Sequence, residues 1–211
     1  MSDARQGRSE NWFEGWRLFF LLTLILVALC VAIAGYRQFE VNSVRMVVRF
    51  TARTSLLFFC LAFSAAALAR LWPNAWTRWQ LRNRRYLGVT FAASHALHAA
   101  ALIAFAMMDP LGFAGVTNLA SYVFGGIGYA VIFAMTATSF DRTAAAIGPR
   151  AWRILHLAGG YYLWAQFMVS FGKRIPDMPL YSLFLIPLVA VMAVRLIAMA
   201  SRPTGQAVRA G

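Results

Sequence analysis

Six stretches without Asp, Glu, Lys or Arg punctuate the chain: Leu18 to Tyr36, Thr54 to Ala69, Tyr86 to Met108, Pro110 to Phe140, Ile154 to Gly172 and Met178 to Val194. Most approach the roughly 20 residues that a helix needs to cross bilayer hydrocarbon, and the second and sixth reach that length by borrowing flanking residues. None shows the strict alternation of a membrane barrel strand. Their length and charge-free character predict helices, whose backbone hydrogen bonds close within the segment. The pattern predicts an all-α membrane bundle of six transmembrane helices, formed by residues 1–203 as one domain without internal repeats, followed by a tail at 204–211. Loops are expected at Trp72-Pro73-Asn74, Asp109-Pro110, Gly148-Pro149 and Pro176-Asp177.

Composition sharpens this reading. The chain is 61% hydrophobic and 13% charged, and its net charge of +13 comes from arginines and one lysine placed almost entirely at the ends of apolar runs. That placement reports membrane orientation and argues against a nucleic-acid partner. With the N-terminus inside, the inner segments hold Arg5, Arg8, Arg17, Arg70, Arg78, Arg82, Arg84, Arg85, Arg142, Arg150, Arg153, Arg202 and Arg209. The outer segments hold fewer: Arg37, Arg45, Arg49, Arg53, Lys173 and Arg174. Both termini are therefore expected in the cytoplasm. Arg195, near the inner end of the last helix, is expected to snorkel to the headgroups.

Two local features bear on this topology. Ala32-Ile33-Ala34 resembles a signal-peptidase site, but Asp3, Glu10 and Glu14 precede a long apolar run, so an uncleaved anchor is expected. Cleavage leaves five helices. Between the first two runs, Arg45, Arg49 and Arg53 recur every four residues beside Val44, Val47, Val48 and Phe50. Helical spacing aligns these guanidiniums on one face. They form either an amphipathic helix lying in the headgroups or an external basic strip for haem propionates, anionic lipid or an anionic chelate.

Candidate chemistry is concentrated in three histidines. Cys30 and Cys60 lie inside apolar runs without metal-site spacing and read as core residues. No glycine-rich dinucleotide fingerprint occurs, so nothing in the chain predicts a flavin or nicotinamide domain. His95 and His98 lie deep in the third run, three residues apart and about 60° apart on the helical wheel, and His156 enters the fifth run behind Trp152. An ionisable residue inside hydrocarbon is costly and suggests function. The structural alternative is a hydrogen bond across the bundle to Ser94, Ser121, Tyr161 or Tyr162, worth about 1 kcal/mol. Tyr161, Tyr162, Trp164, Phe167 and Phe171 read mainly as packing residues, and the glycines at 125, 126, 128, 159 and 160 as close-packing positions.

Arg84, Arg85, Leu87, Gly88, Leu97 and His98, together with the segment from Ile147 through Trp152 to His156, resemble the ferric-reductase-like transmembrane domain. Within that family they are similar to the haem-binding membrane subunit of the periplasmic methionine sulfoxide reductase system and, more distantly, to the STEAP metalloreductases and NADPH oxidases. The resemblance implies a bacterial inner-membrane protein that holds b-type haem, one or two, between its third and fifth helices. Two neutral imidazoles would make the haem an electron relay rather than an oxygen binder. It implies a cytoplasmic flavoprotein or quinol as donor, near the inner arginines, and a periplasmic redox partner or other external acceptor.

The sequence departs from that pattern at identifiable positions. Relatives with two stacked haems place ligands thirteen or fourteen residues apart on each helix, about 20 Å of rise. Here Arg84 stands fourteen residues before His98, and Val169 stands thirteen after His156. His98 lies thirteen residues beyond Arg85 whereas His156 lies three beyond Arg153, so the two differ in depth by roughly 10 to 15 Å. The arrangements that follow are an inner haem on His156 meeting Arg84 or Arg85, a central haem on His98 or His95, a tilted pairing of His95 with His156, or loss of the haem site. The rival function is a haem-free membrane scaffold or assembly subunit with the same fold. A transporter has less support, because apart from the histidines no Asp, Glu or Lys lies in a predicted span.

Overall fold

The computed structural model describes residues 12–36 and 38–201. Arg5, Arg8, Arg37, Arg202 and Arg209, and the tail at 204–211, lie outside the described residues. The described chain is all helical: α1 (Gly15–Gly35), α2 (Val41–Leu71), α3 (Ala75–Arg82), α4 (Arg84–Met108), α5 (Pro110–Val116), α6 (Leu119–Ala137), α7 (Asp141–Gly172), a 3-10 turn (Pro179–Tyr181) and α8 (Ser182–Ala200). Five segments are long and apolar enough to cross a membrane: α1, α2, α4, α6 and the turn joined to α8. This is a membrane protein. α7 is also long but carries Asp141, Arg142, Arg150 and Arg153 in its first half.

The long helices alternate in direction, and contacts define two ends of the bundle. At the proximal end the Gly15 amide donates to Asn83 Oδ1 (2.9 Å), Trp79 Nε1 donates to the Phe13 carbonyl (2.7 Å), and Arg70 reaches the Ser201 carbonyl (3.4 Å). The start of α1, the end of α2, α3, the start of α4 and the end of α8 therefore lie together. At the distal end Arg45 lies over Phe105 and Arg174 over Tyr181. The second part of α7 runs from proximal to distal, parallel to α4. The core is aromatic, with Phe59, Phe63, Phe91, Phe167 and Phe171 buried among α2, α4 and α7.

Four features differ from the sequence expectation, each for a local reason. First, α2 begins at Val41, so Arg45, Arg49 and Arg53 belong to a 31-residue helix and not to a separate surface helix or loop. Ser43, Val44, Val47, Thr51 and Ser55 are buried at helical spacing, and this face docks the basic stretch onto its neighbours. Second, the fourth apolar run breaks into α5 and α6. Thr117 is extended, and Asn118 caps α6 by accepting from the Ser121 amide at 2.9 Å.

Third, Gly148-Pro149 is a kink within α7 and not a loop. Gly148 has φ 77 and ψ 161, a conformation open to glycine, and Pro149 has no amide to donate. Fourth, Arg195 turns inward. Its Nη1 donates to the Phe63 carbonyl at 2.8 Å, and its guanidinium sits 4.0 Å from the centre of the Phe63 ring. Cation–π contact and a backbone acceptor replace the headgroup expected for it.

Candidate functional site

The kink at Gly148 folds the first turns of α7 across the proximal end, and beneath them lies a cavity of about 340 Å³. Its deeper wall is apolar, formed by Phe59, Phe63, Phe91, Ile132 and Leu163. Its rim is polar: Arg84 and Arg85 from α4, Thr136, Thr138 and Ser139 from the end of α6, and His156 from α7. Ala144, in the first turns of α7, also lines the cavity.

His156 and Arg85 at the rim are placed by local partners. His156 Nε2 lies 3.2 Å from Thr138 Oγ1, and its ring stacks on Trp152 with centroids 4.3 Å apart. Trp152 in turn donates to the Thr138 carbonyl at 2.9 Å. Arg85 is ion-paired with Asp141, whose side chain is 85% exposed. Hydrogen bonding to Arg85, supported by its charge, holds the Asp141 carboxyl below the usual carboxylate range. Arg84 is half-buried, has no ion pair or hydrogen bond among the described residues, and lies within electrostatic range of Arg195 and His156. A guanidinium so placed favours an anionic occupant.

Gly88 and Gly160 both line this space, one open and one close-packed. A Cβ at Gly88 would meet nothing within 4 Å, whereas one at Gly160 would lie 3.1 Å from the Phe63 ring. The wall at Gly88 is therefore an open cradle.

His95 and His98 do not line this cavity; they sit in a second polar layer on the other side of Phe91. The His98 Nδ1 lies 3.1 Å from the Val48 carbonyl and 3.0 Å from Thr51 Oγ1, while the Thr51 hydroxyl donates to the Val47 carbonyl at 2.7 Å. A carbonyl only accepts, so Nδ1 carries the proton and the Nε2 lone pair is left for another partner. The His95 ring lies 5.3 Å from His98 and 5.0 Å from Tyr129, and both His95 Nδ1 and the Tyr129 hydroxyl are buried without a hydrogen-bond partner among the described residues.

The three histidines are thus divided between two levels, and His95 contacts Phe91, Phe167, Tyr129 and His98 rather than His156. Val169 is 65% exposed, facing outward. The hydrogen-bond partners also differ from those expected. Ser94 pairs with Thr54 and Ser55, Ser121 with Asn118, Tyr161 with Met199 and Tyr162 with the Phe124 carbonyl. Thr51 and Thr138, which meet His98 and His156, carry no sequence signal, because each lies a helix away. Among the described residues no three His, Cys, Asp or Glu side chains form a metal-ion cluster.

The proximal cavity offers one imidazole, two guanidiniums, a wall opened by Gly88 and aromatic surfaces, a lining whose chemistry is compatible with an anionic group that has an apolar body. Compared with protein-family models, with curated proteins and with solved structures, the chain matches none.

Proposed function

We propose that this protein is a six-span bacterial inner-membrane electron relay in which the proximal cavity holds one b-type haem. His156 is the iron ligand, and Arg84 and Arg85 take the propionate carboxylates. In this reading α7 is the sixth span, the proximal end faces the cytoplasm with both termini, and the excess of arginine at that end supports the orientation. The observation that carries the proposal is the convergence of His156, Arg84, Arg85 and Gly88 on one cavity from helices α4 and α7.

A bound haem supplies reversible one-electron chemistry at a potential set by its ligands and surroundings. The chain's own residues bind, orient and exclude water. Asp141 holds Arg85 at the rim, and charge-assisted bonds from the two guanidiniums suit paired carboxylates. Phe59, Phe63, Phe91 and Leu163 keep water from the deeper half. Trp152 and Thr138 hold the His156 ring, and releasing Nε2 from Thr138 to a metal costs about 1 kcal/mol. His95 and His98 have no place in this site. In this reading a cytoplasmic flavoprotein or quinol would be the donor, docking at the proximal rim, and a periplasmic redox partner or other external acceptor would receive the electrons.

One observation favours the second reading, a haem-free scaffold: His156 and His98 both already have hydrogen-bond partners within the bundle. The test is the reduced-minus-oxidised absorption spectrum of protein purified from haem-supplied cells. A sharp b-type band that disappears in His156→Ala and persists in His95→Ala and His98→Ala supports the relay. Colourless, well-folded protein supports the scaffold.

A further inference from the structure

At the distal end two guanidiniums from different elements converge on one buried phenol. Arg53, exposed on α2, lies 6.0 Å from the centre of the Tyr181 ring and 5.2 Å from that of Phe184. Arg174, exposed in the connection between α7 and α8, lies 5.6 Å from the same Tyr181 ring, and its Nη1 donates to the Tyr181 hydroxyl at 3.4 Å. Tyr181 is only 4% exposed, fixed in the 3-10 turn and packed against Phe171 and Phe184.

Contact with aromatic rings accounts for the position of each guanidinium but not for their juxtaposition. Like charges brought onto one ring repel, and neither has a carboxylate within ion-pair distance among the described residues. Asp177 follows Arg174 by three residues and pairs with neither. Each guanidinium carries five N–H donors, and among the described residues the one protein group they address is the Tyr181 hydroxyl, which takes a bond from Arg174 and is also approached by Arg53. Because the Tyr181 oxygen accepts from Arg174, its own proton is free to donate. The cluster therefore presents two planar forks and one hydroxyl donor, and the Tyr181 oxygen, the acceptor they share, leaves most of the N–H groups without a partner among the described residues. This donor set matches an anion with several oxygens.

We infer that Arg53, Arg174 and the Tyr181 hydroxyl form a distal oxyanion site that takes a carboxylate or phosphate group. The site stands independently of the proximal cavity, since it shares no residue with that cavity and needs no cofactor there. Its ligand is either a soluble oxyanion or the phosphate of an anionic lipid headgroup, because both present the same oxygens to the same donors.

The test uses full-length protein in nanodiscs of zwitterionic lipid at low ionic strength, titrated calorimetrically with citrate and with inorganic phosphate. In a parallel arm, native mass spectrometry counts phosphatidylglycerol retained from mixed-lipid nanodiscs. Saturable binding of either soluble probe identifies a soluble ligand, and selective retention of phosphatidylglycerol identifies a headgroup. In the arm that binds, Arg53→Gln and Arg174→Gln each weaken binding about tenfold or more, and Tyr181→Phe, which keeps the ring, weakens it by about threefold. Arg53→Lys and Arg174→Lys retain charge but lose the fork and fall between these values. Arg78→Gln at the proximal end leaves binding unchanged. Failure of both arms, or binding indifferent to the Arg53 and Arg174 substitutions in protein that melts like the parent, overturns the inference.

Discussion

The seam between α2 and α4 and the pairing of α6 with α7 use polar residues and glycines in opposite ways. Along the first, Thr54 and Ser55 bond Ser94 at 2.8 and 3.0 Å, and Thr51 bonds His98 at 3.0 Å. Nearly every hydroxyl there is spent on a neighbour, and Thr51, Ser55, Thr90 and Ser94 are fully buried. Along the second, α6 buries only Gly128 and Ile132, and its end opens into the cavity shared by Thr138, His156 and Arg84. Polar atoms thus serve as glue where helices meet closely, and as the lining of a cavity where helices part. Membrane bundles make this distinction visible because lipid offers no partner to an unspent donor.

The sharpest way to break the comparison is to close the cavity while leaving the seam intact. Gly88→Leu places a side chain into open space rather than against a neighbour, so it is expected to abolish haem binding in a spectral titration while the protein still folds and melts cooperatively. The reverse experiment addresses a packed glycine. A Cβ at Gly159 would lie 2.6 Å from Met135 Sδ and 2.9 Å from Val131 Cγ1, so Gly159→Ala should destabilise the α6–α7 pair by about 1–3 kcal/mol in detergent unfolding. Gly126→Ala, where nothing lies within 4 Å, should show no such loss.

Smaller effects are expected at the seam itself. Ser94→Ala or Thr51→Val removes hydrogen bonds between helices and should cost about 1 kcal/mol, measured by the same unfolding assay, with no change in any bound-cofactor spectrum. The smallest effect concerns the rim. Because Arg85 lowers the Asp141 pKa, their ion pair is complete above the ordinary carboxylate value and is lost as pH falls through the lowered one. An NMR titration of the Asp141 carboxyl should therefore show a midpoint below about 3.9, returning to it in Arg85→Gln.

Much of this architecture is written in hydropathy, because a charge-free run of membrane length has few alternatives to a helix. The runs beginning at Thr54 and Tyr86 fall within α2 and α4, and the run from Leu18 passes the end of α1 by one residue. What hydropathy hid was the first third of α2. Arg45, Arg49 and Arg53 interrupt the apolar average, although Ser43, Val44, Val47 and Thr51 sustain the buried face on which helix docking depends. Polar residues count against burial in a sequence, whereas in the bundle they satisfy one another. For the same reason, the two-level division of the histidines was legible from residue counting, but the partners Thr51 and Thr138 were not. Arg195 shows a further limit, since its long stem permits either a headgroup or the Phe63 carbonyl, and only tertiary contact decides between them. The convergence of Arg84, Arg85 and His156 was one of several arrangements compatible with their spacing, and the kink at Gly148 is what closes the space around them.

The most direct measurement is the reduced-minus-oxidised spectrum of the full-length protein beside its His156→Ala variant, with haem content and folding recorded for both. The account predicts a stoichiometric b-type band in the parent and its loss in a variant that still folds. A band of equal size in His156→Ala, or a folded parent that binds no haem, would contradict it.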